Sequence, residues 1–203
     1  MELEEDKRVI SNTQTSRITI TPTEAGWKFP TWNSFAGHMA PYIKKGWPKG
    51  TLVANLWESD SEDSVQCFIV FNPSCINNLE PNDPQNSLLA NLGVSGSSEI
   101  FFLQTNPTYL RLGCATKLLS HIFKTYPNFI WFLDTDYDLP AQNLYNKHGF
   151  SWFGKSVTGC TLIKSPVSML AVCKALYEND ENEDLIKGLM AGYVWDPKEN
   201  QFV

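Results

Sequence analysis

The segment best suited to bind a ligand is a glycine-containing turn within residues 109–119, which read YLRLGCATKLL. It follows a strand-like apolar run at 99–105 and opens a helix-like run. The first N–H groups of a helix have no intrahelical partner and lie at the positive end of the helix dipole, so they can bind a pyrophosphate. Gly113 would let the backbone approach such a ligand, since it has no Cβ atom, and Ala115 is the next smallest residue. On this segment alone, small residues that only pack at a helix start are an equal alternative.

A second segment, DLPAQNLYNKHGF at residues 138–150, follows another apolar run at 128–133. Pro140 is typical of a first helical turn and Gly149 of a helix end. Tyr145 would lie on one face of this short helix together with the alanine and leucine that precede it. The sequence therefore predicts a strand, a turn, a helix, a second strand and a short helix, in that order.

This order, with a short helix that reads A-x-x-L-Y-x-x-x-G-F, resembles the GNAT superfamily of acyl-CoA-dependent N-acetyltransferases over residues 98–152. The first GNAT motif, R/Q-x-x-G-x-G/A, is matched at the glycine and the alanine of the turn. Its Arg/Gln position holds Leu110, and Arg111 follows one residue later. The second motif usually begins with Asn, where this chain has Asp138.

The resemblance implies an α/β fold with a central, mixed but mostly antiparallel sheet of about six to seven strands, flanked by helices and splayed at the cofactor site. The cofactor that it implies is acetyl-CoA. Backbone N–H groups around Leu103 and Thr105 would hold the thioester oxygen if the strand splays at a bulge. The residues expected to bind the cofactor are Leu103, Gln104, Thr105, Leu110, Arg111, Leu112, Gly113, Cys114, Ala115, Thr116, Asp138 and Tyr145.

The resemblance also implies two catalytic residues. Tyr145 matches the tyrosine of A-x-x-L-Y, which in GNAT enzymes lies near the cofactor sulfur and can protonate the departing thiolate. Glu99 begins the strand before the turn, where some GNAT enzymes carry a general base, and partial burial can raise the pKa of a carboxyl group for that work. The structural alternatives are a core aromatic ring for Tyr145 and a solvated strand end for Glu99.

The function predicted in this way is transfer of an acetyl group from acetyl-CoA to a primary amine, on a small molecule or a peptide, by direct attack. The alternative is a GNAT-fold acyl-CoA-binding or regulatory protein without catalysis, because Leu110 and Asp138 replace the usual motif residues and a fold does not establish an activity. A transferase of longer acyl chains also stays open, and a homodimer is a further expectation.

A third pattern concerns the acceptor. Asp134, Asp136 and Asp138 recur at alternate positions where the second strand leads into the short helix. Period-two spacing in an extended segment directs side chains to one side. These carboxylates could form a negative rim that attracts a cationic amine. The alternative is that Asp138 caps the helix and the other two are solvated turn residues.

Composition excludes several classes of protein. With 203 residues, 42% of them hydrophobic, the chain can bury a substantial core. The net charge of -6 argues against sequence-independent binding to nucleic acid. There is no long uncharged apolar run, so we expect no membrane span. Five cysteines without C-x-x-C spacing indicate reduced thiols of a cytoplasmic protein, and the three scattered histidines imply no metal site.

The remaining segments complete the predicted order of elements. Residues 1–15 form a polar N-terminal tail, and residues 16–203 form one domain with a C-terminal helical extension. Residues 72–97, rich in Pro, Asn and Ser, predict an irregular connection with a short helix at 87–92. Strands are predicted at 17–21, 51–57, 64–71, 99–105, 129–133, 151–154 and 160–163, and helices at 113–126, 141–148, 167–177 and 183–189.

Overall fold

The computed structural model describes residues 16–25, 27–33, 46–59, 64–75, 90–136, 139–155, 159–167, 195–196 and 201–202. The predicted N-terminal tail and, apart from Val167, the predicted helices at 167–177 and 183–189 lie outside the described residues.

A seven-stranded sheet organises the described part of the chain, with the strand order β1-β2-β3-β4-β5-β7-β6. Every neighbouring pair is antiparallel except β4 and β5, which are parallel. The strands are β1 (Arg17–Pro22), β2 (Leu52–Trp57), β3 (Val65–Cys75), β4 (Gly96–Thr105), β5 (Phe129–Thr135), β6 (Ser151–Lys155) and β7 (Cys160–Lys164). Each of the seven predicted strands is therefore present.

Two α-helices with described bounds connect the later strands, α1 (Cys114–Thr125) and α2 (Leu139–Lys147). In α1 the buried residues are Cys114, Leu118, Leu119 and Ile122, as the helical period of the sequence predicts. They pack on one face of the sheet, which we call the helix face, against side chains such as Ile69 and Trp131.

The opposite face of the sheet carries a second, aromatic core. Val53, Phe68 and Val70 are fully buried there beneath Trp27, Phe29, Trp32 and Trp47. The ring centroids of Trp27 and Phe68 are 5.5 Å apart, and those of Trp32 and Phe68 are 5.7 Å apart. Because both faces of the central strands are covered, these strands are apolar throughout rather than alternating.

The sheet opens between β4 and β5. Residues 96–99 pair with residues 129–132, and the last pair is Glu99 with Phe132. Beyond it β4 continues beside β3 alone and β5 beside β7 alone, and both strands lie wholly within the described residues. A bulge accompanies the separation, since Val70 pairs with Phe102 whereas Phe71 pairs with Ile100. The mixed, mostly antiparallel sheet of seven strands, its flanking helices and this opening confirm the predicted α/β architecture.

Two details differ from the prediction. Residues 72–97 are not an irregular connection throughout, because β3 extends to Cys75 and β4 begins at Gly96. Pro73 is tolerated in β3 because β2 ends its pairing at Phe71, which leaves one side of β3 free of ladder hydrogen bonds. A short antiparallel pair, β8 (Trp195–Asp196) with β9 (Gln201–Phe202), was also not predicted. Residues 90 and 91 of the predicted short helix are helical.

Candidate functional site

The turn before α1 has the geometry expected of an anion-binding backbone. A 3-10 turn, Pro107–Tyr109, follows β4, and Gly113 is the residue that precedes the first turn of α1. Gly113 has a φ of 80°, and a Cβ atom built on it would meet no atom within 4 Å. No side chain caps this end of α1. Among the described residues, the first N–H groups of the helix therefore have no side-chain cap at the positive end of its dipole.

The residues before Gly113 have unusual positions. Leu110 and Leu112 are large hydrophobic side chains that are 57% and 70% exposed. Arg111, also exposed, has a φ of 64°. This left-handed conformation costs a residue with a Cβ atom about 1–2 kcal/mol and is found most often at functional sites. The strain and the exposed leucines indicate a turn shaped for a contact outside the folded core.

The opening of the sheet presents backbone groups beside this turn. The N–H group of Asn106 donates to the carbonyl oxygen of Gln66 in β3, at 2.8 Å. Because successive residues of a strand direct their N–H groups to opposite sides, Thr105 and Leu103 direct theirs away from β3, towards the opening. The bulge precedes both residues, as the sequence-based expectation required.

Tyr145, on α2, packs in the core of the helix face. Its side chain is 7% exposed, and its ring centroid lies 5.6 Å from that of Phe150. Burial raises the pKa of the Tyr145 phenol well above its usual value, and the nearby thiol of Cys67 raises it further. Cys67 belongs to β3 and accepts a hydrogen bond from the hydroxyl of Thr105, at 3.4 Å. Tyr145 therefore lies near the β4 side of the opening, although α2 follows β5 in the chain.

Glu99 lies at the point where the two strands separate. Its neighbour Ile100 packs in the core of the helix face, so Glu99 points to the other face of the sheet. The side chain is exposed, but enclosure by surrounding protein atoms raises the pKa of its carboxyl group, and the carboxylate of Asp134 raises it further. Asp134 accepts a hydrogen bond of 2.5 Å from the hydroxyl of Thr161.

In the structure the turn at 110–116 follows the open edge of β4 at 103–105. Tyr145 lies on the helix face, and Glu99 lies on the opposite face where the strands separate. Gln104, in contrast, is buried opposite Phe68 in the strand ladder, where its side chain faces the aromatic core. Asp136 is exposed at the end of β5. Asp138 lies outside the described residues, so its predicted place at the cofactor stays a prediction.

The sequence did not indicate Glu58, Gln66 and Cys67, which contact the site from the adjoining ends of β2 and β3. The Tyr109 hydroxyl donates to a carboxylate oxygen of Glu58, and the Cys114 thiol donates to the side-chain oxygen of Gln66, at 3.8 Å. These residues precede their partners by 38 to 51 positions. No local pattern marks such contacts, because the antiparallel pairing of β2, β3 and β4 creates them.

In the described part of the chain, no group of three or more His, Cys, Asp or Glu residues is placed to hold a metal ion. Nor is any described helix long and apolar enough to span a membrane. Cys67, Cys114 and Cys160 are free thiols. Burial raises the pKa of the Cys67 thiol to about 12, so this sulfur stays protonated at neutral pH.

In a comparison with known proteins, the structure of this chain is similar to solved acetyltransferase structures at low sequence identity. One solved structure, a histone acetyltransferase HPA2 and related acetyltransferase from Corynebacterium glutamicum, is 18% identical, with a TM-score of 0.45 over 72% of this chain and 83% of that chain. The ribosomal-protein-S18-alanine N-acetyltransferase from Escherichia coli is 13% identical, with a TM-score of 0.42 over 73% and 94%. Arabidopsis thaliana NAA60 with a bisubstrate analogue is 14% identical, with a TM-score of 0.43 over 73% and 98%. No protein-family model and no curated protein matches the chain.

Proposed function

We propose that this protein is an N-acetyltransferase that transfers the acetyl group of acetyl-CoA to a primary amine. The observation that carries the proposal is the separation of β4 from β5 beyond Glu99 and Phe132, directly beside the uncapped first turn of α1. The separation offers a slot lined by backbone groups that no described strand pairs, and the turn offers N–H groups to a pyrophosphate. An extended ligand with a phosphate group at one end fits this combination.

The cofactor would run along β4. Its pyrophosphate would lie on the N–H groups of residues 113–116, with Arg111 as the nearest exposed cation of the turn. The pantetheine chain would run from the turn along the open edge of β4, with the thioester oxygen at the N–H groups around Leu103 and Thr105. When bound, acetyl-CoA supplies an activated acyl group, and the protein supplies its orientation beside the amine.

Glu99 would receive the proton of the attacking amine, directly or through a water molecule. As the amine nitrogen forms its bond to the carbonyl carbon, the ammonium proton passes to the carboxylate and the carbon–sulfur bond breaks. A raised pKa makes Glu99 a stronger base than an ordinary carboxylate. The backbone N–H groups of Leu103 and Thr105 would stabilise the developing oxyanion.

Tyr145 would stabilise the departing thiolate. Since its pKa is raised, the phenol is fully protonated at neutral pH and can donate a hydrogen bond to the sulfur. A thiolate whose conjugate acid has a pKa of about 8.5 will share that proton at short range even though complete transfer from the phenol is uphill. The buried, ring-packed position of Tyr145 holds the hydroxyl in place for this role.

We propose a cationic amine as the acceptor. Glu99 and Asp134 are close enough for their charges to interact, and Asp136 is exposed two residues beyond Asp134. An ammonium group near this edge would gain favourable Coulomb energy from the carboxylates. The carboxylates would concentrate a polyamine or a Lys-rich peptide near the point where transfer occurs.

The function is tested by binding and turnover of the wild-type protein. Acetyl-CoA should raise its melting temperature, and release of free CoA should follow the addition of a cationic amine. Stoichiometric acetyl-CoA binding without turnover on a panel of cationic, neutral and anionic amines would instead favour the non-catalytic protein that Leu110 and Asp138 suggest. No binding of acetyl-CoA would contradict both.

The acceptor is tested by removing one charge. Asp136→Asn should raise the KM for a cationic amine about two- to five-fold at low salt, with the difference shrinking as ionic strength rises. The affinity for acetyl-CoA should not change. Glu24→Gln, which removes an exposed charge from the turn after β1, is the matched control and should leave KM unchanged. An acceptor that is neutral or anionic, with an unchanged KM in Asp136→Asn, would exclude the cationic acceptor.

A further inference from the structure

The turn that would bind the cofactor phosphates has local hydrogen bonds. The side chain of Asn106 accepts from the N–H group of Thr108 at 3.0 Å, and the N–H groups of Leu110 and Leu112 donate to the carbonyl oxygens of Pro107 and Tyr109 at 3.4 Å. No side chain caps α1, and the turn contains a left-handed Arg111 that the backbone does not favour. A strained conformation persists only where surrounding contacts determine it. Contacts from elsewhere in the molecule therefore add to the local bonds in fixing the shape of residues 110–113.

The contacts from elsewhere come from the hairpin of β2 and β3. The N–H group of Asn106 donates to the carbonyl oxygen of Gln66 at 2.8 Å, just before the turn. The thiol of Cys114 donates to the side-chain oxygen of Gln66, just after it. Between these two contacts, the hydroxyl of Tyr109 donates to a carboxylate oxygen of Glu58. We call these three contacts the hairpin clasp.

Glu58 is itself held in a defined position. It follows β2 directly, and its N–H group donates to the carbonyl oxygen of Ser64 at 3.0 Å, which closes the hairpin. Across the same turn, the hydroxyl of Ser64 donates to the carbonyl oxygen of Ser59 at 2.8 Å. These bonds hold the backbone from which the Glu58 carboxylate reaches the Tyr109 hydroxyl.

We propose that Glu58 and Tyr109 are positioning residues for the cofactor phosphates, acting through residues 110–113. The inference rests on the proposed binding of acetyl-CoA. Tyr109 is two residues before Arg111 and packs against the core of the helix face. Its bond to Glu58 holds the start of the turn while Gln66 holds both flanks. Without it, the turn samples other conformations, and binding must first restore the productive one.

The charge of Glu58 does not account for this role. A carboxylate near a phosphate site weakens anion binding by repulsion, so an effect through charge and an effect through geometry have opposite signs. Glu58→Gln removes the charge but keeps a hydrogen-bond acceptor of the same shape. Glu58→Ala removes both. Tyr109→Phe removes only the donor.

The experiment measures the Kd and KM for acetyl-CoA in these variants. Tyr109→Phe and Glu58→Ala should each weaken acetyl-CoA binding about ten-fold, as expected for loss of a hydrogen bond to a charged group, and kcat should stay unchanged. Glu58→Gln should bind within about two-fold of wild type, because the acceptor is retained. Both substitutions remove the same hydrogen bond, so their effects should not add. The double variant Tyr109→Phe/Glu58→Ala should bind acetyl-CoA no more weakly than whichever single variant binds it more weakly.

A matched control separates positioning from general destabilisation. Thr19→Val removes another side-chain hydrogen bond of the sheet, the 2.8 Å bond from the Trp57 indole to the Thr19 hydroxyl, which does not touch the turn. It should lower the melting temperature without changing the Kd. If Tyr109→Phe does not fold, Glu58→Ala against Glu58→Gln still gives the comparison.

The outcomes distinguish the two proposals. If wild type binds acetyl-CoA and both Tyr109→Phe and Glu58→Ala bind it equally well, the clasp has no positioning role and the proposed function stands. If Glu58→Gln loses as much affinity as Glu58→Ala, geometry is not the cause, and the inference is overturned. If wild type does not bind acetyl-CoA, the proposed function and the inference are both overturned.

Discussion

The paired part and the open part of β4 and β5 differ in side-chain burial and in backbone pairing. Where residues 96–99 pair with 129–132, alternate side chains are almost completely buried, as Ser98 and Trp131 are at 1% exposure. Where the strands separate, the side chains of Leu103 and Thr105 are half-buried, and no described strand pairs with the edge of either strand that faces the opening. A buried backbone group without a partner is costly, so an open strand edge inside a sheet requires a ligand or water. One strand pair thus combines a paired, buried end with an open end.

This comparison leads to a general expectation. Substitutions in the paired part should lower the free energy of unfolding, and substitutions around the opening should lower affinity or turnover while the fold persists. The following predictions test that division, beginning with the largest effect.

Trp131→Ala should have the largest effect, and the effect should be on stability. The Trp131 ring lies 5.1 Å from that of Phe123 and 5.8 Å from that of Phe71, all within the core. Truncation should lower the free energy of unfolding by about 3–5 kcal/mol, measured by denaturant titration. Trp152→Ala is the matched control, since that tryptophan is 54% exposed on β6 and its loss should change stability by less than about 0.5 kcal/mol. Equal losses in both variants would contradict the placement of the core.

Gly113→Glu should abolish acetyl-CoA binding. A carboxylate would enter the open space where the phosphates are proposed to lie, and we expect affinity to fall about a hundred-fold or more. Gly46→Glu provides the control, because Gly46 has the same φ of 80° and equally open space around its Cβ direction. Both variants should lose similar stability from backbone strain, and only Gly113→Glu should lose binding, measured by calorimetry. Unchanged affinity in folded Gly113→Glu would remove the turn from the cofactor site.

Tyr145→Phe should lower turnover about ten- to a thousand-fold while acetyl-CoA affinity and the melting temperature stay close to wild type. The ring and its contact with Phe150 remain, so only the hydroxyl at the opening is lost. Tyr126→Phe removes a hydroxyl from another ring of the same core and should leave turnover unchanged. Full activity of Tyr145→Phe would show that Tyr145 serves packing alone.

Glu99→Gln should change the pH dependence of turnover. In the wild type, kcat/KM should fall as the pH drops through the raised pKa of Glu99, above the ordinary value of 4.5, because only the carboxylate accepts a proton. In Glu99→Gln this fall in kcat/KM at low pH should be absent. Between the pKa of Glu99 and the pKa of the amine, where the amine is protonated, kcat/KM of the variant should be about ten-fold lower than that of wild type. An identical pH profile in both proteins would exclude Glu99 as the base.

The same substitution should produce the smallest effect, on stability. A carboxyl group whose pKa is raised by folding binds its proton more tightly in the folded state, so its contribution is lost as the pH rises from 4.5 through the raised pKa. At pH 7 the melting temperature of Glu99→Gln should therefore exceed that of wild type, by less than about 2 °C. At pH 4 the two melting temperatures should be equal. Glu24→Gln should show no such pH-dependent difference. A lower melting temperature of Glu99→Gln at pH 7 would contradict this account.

The sequence by itself determined the local elements and the turn. The apolar run at 129–133 became β5, and the helical period from 114 placed Leu118, Leu119 and Ile122 in the core. The glycine of the turn permits a left-handed backbone, which few other residues adopt readily. These features depend on neighbours within about one helical turn or one strand, which local patterns report.

Only the tertiary structure decided how these elements meet. It placed the end of pairing at Glu99, the approach of Tyr145 to Cys67, and the bond between Tyr109 and Glu58. Each of these depends on the register of strands that are far apart in the chain, and a shift by one residue would turn every side chain to the other face. Pairing energy and core packing over the whole sheet select that register, so no short segment contains the information.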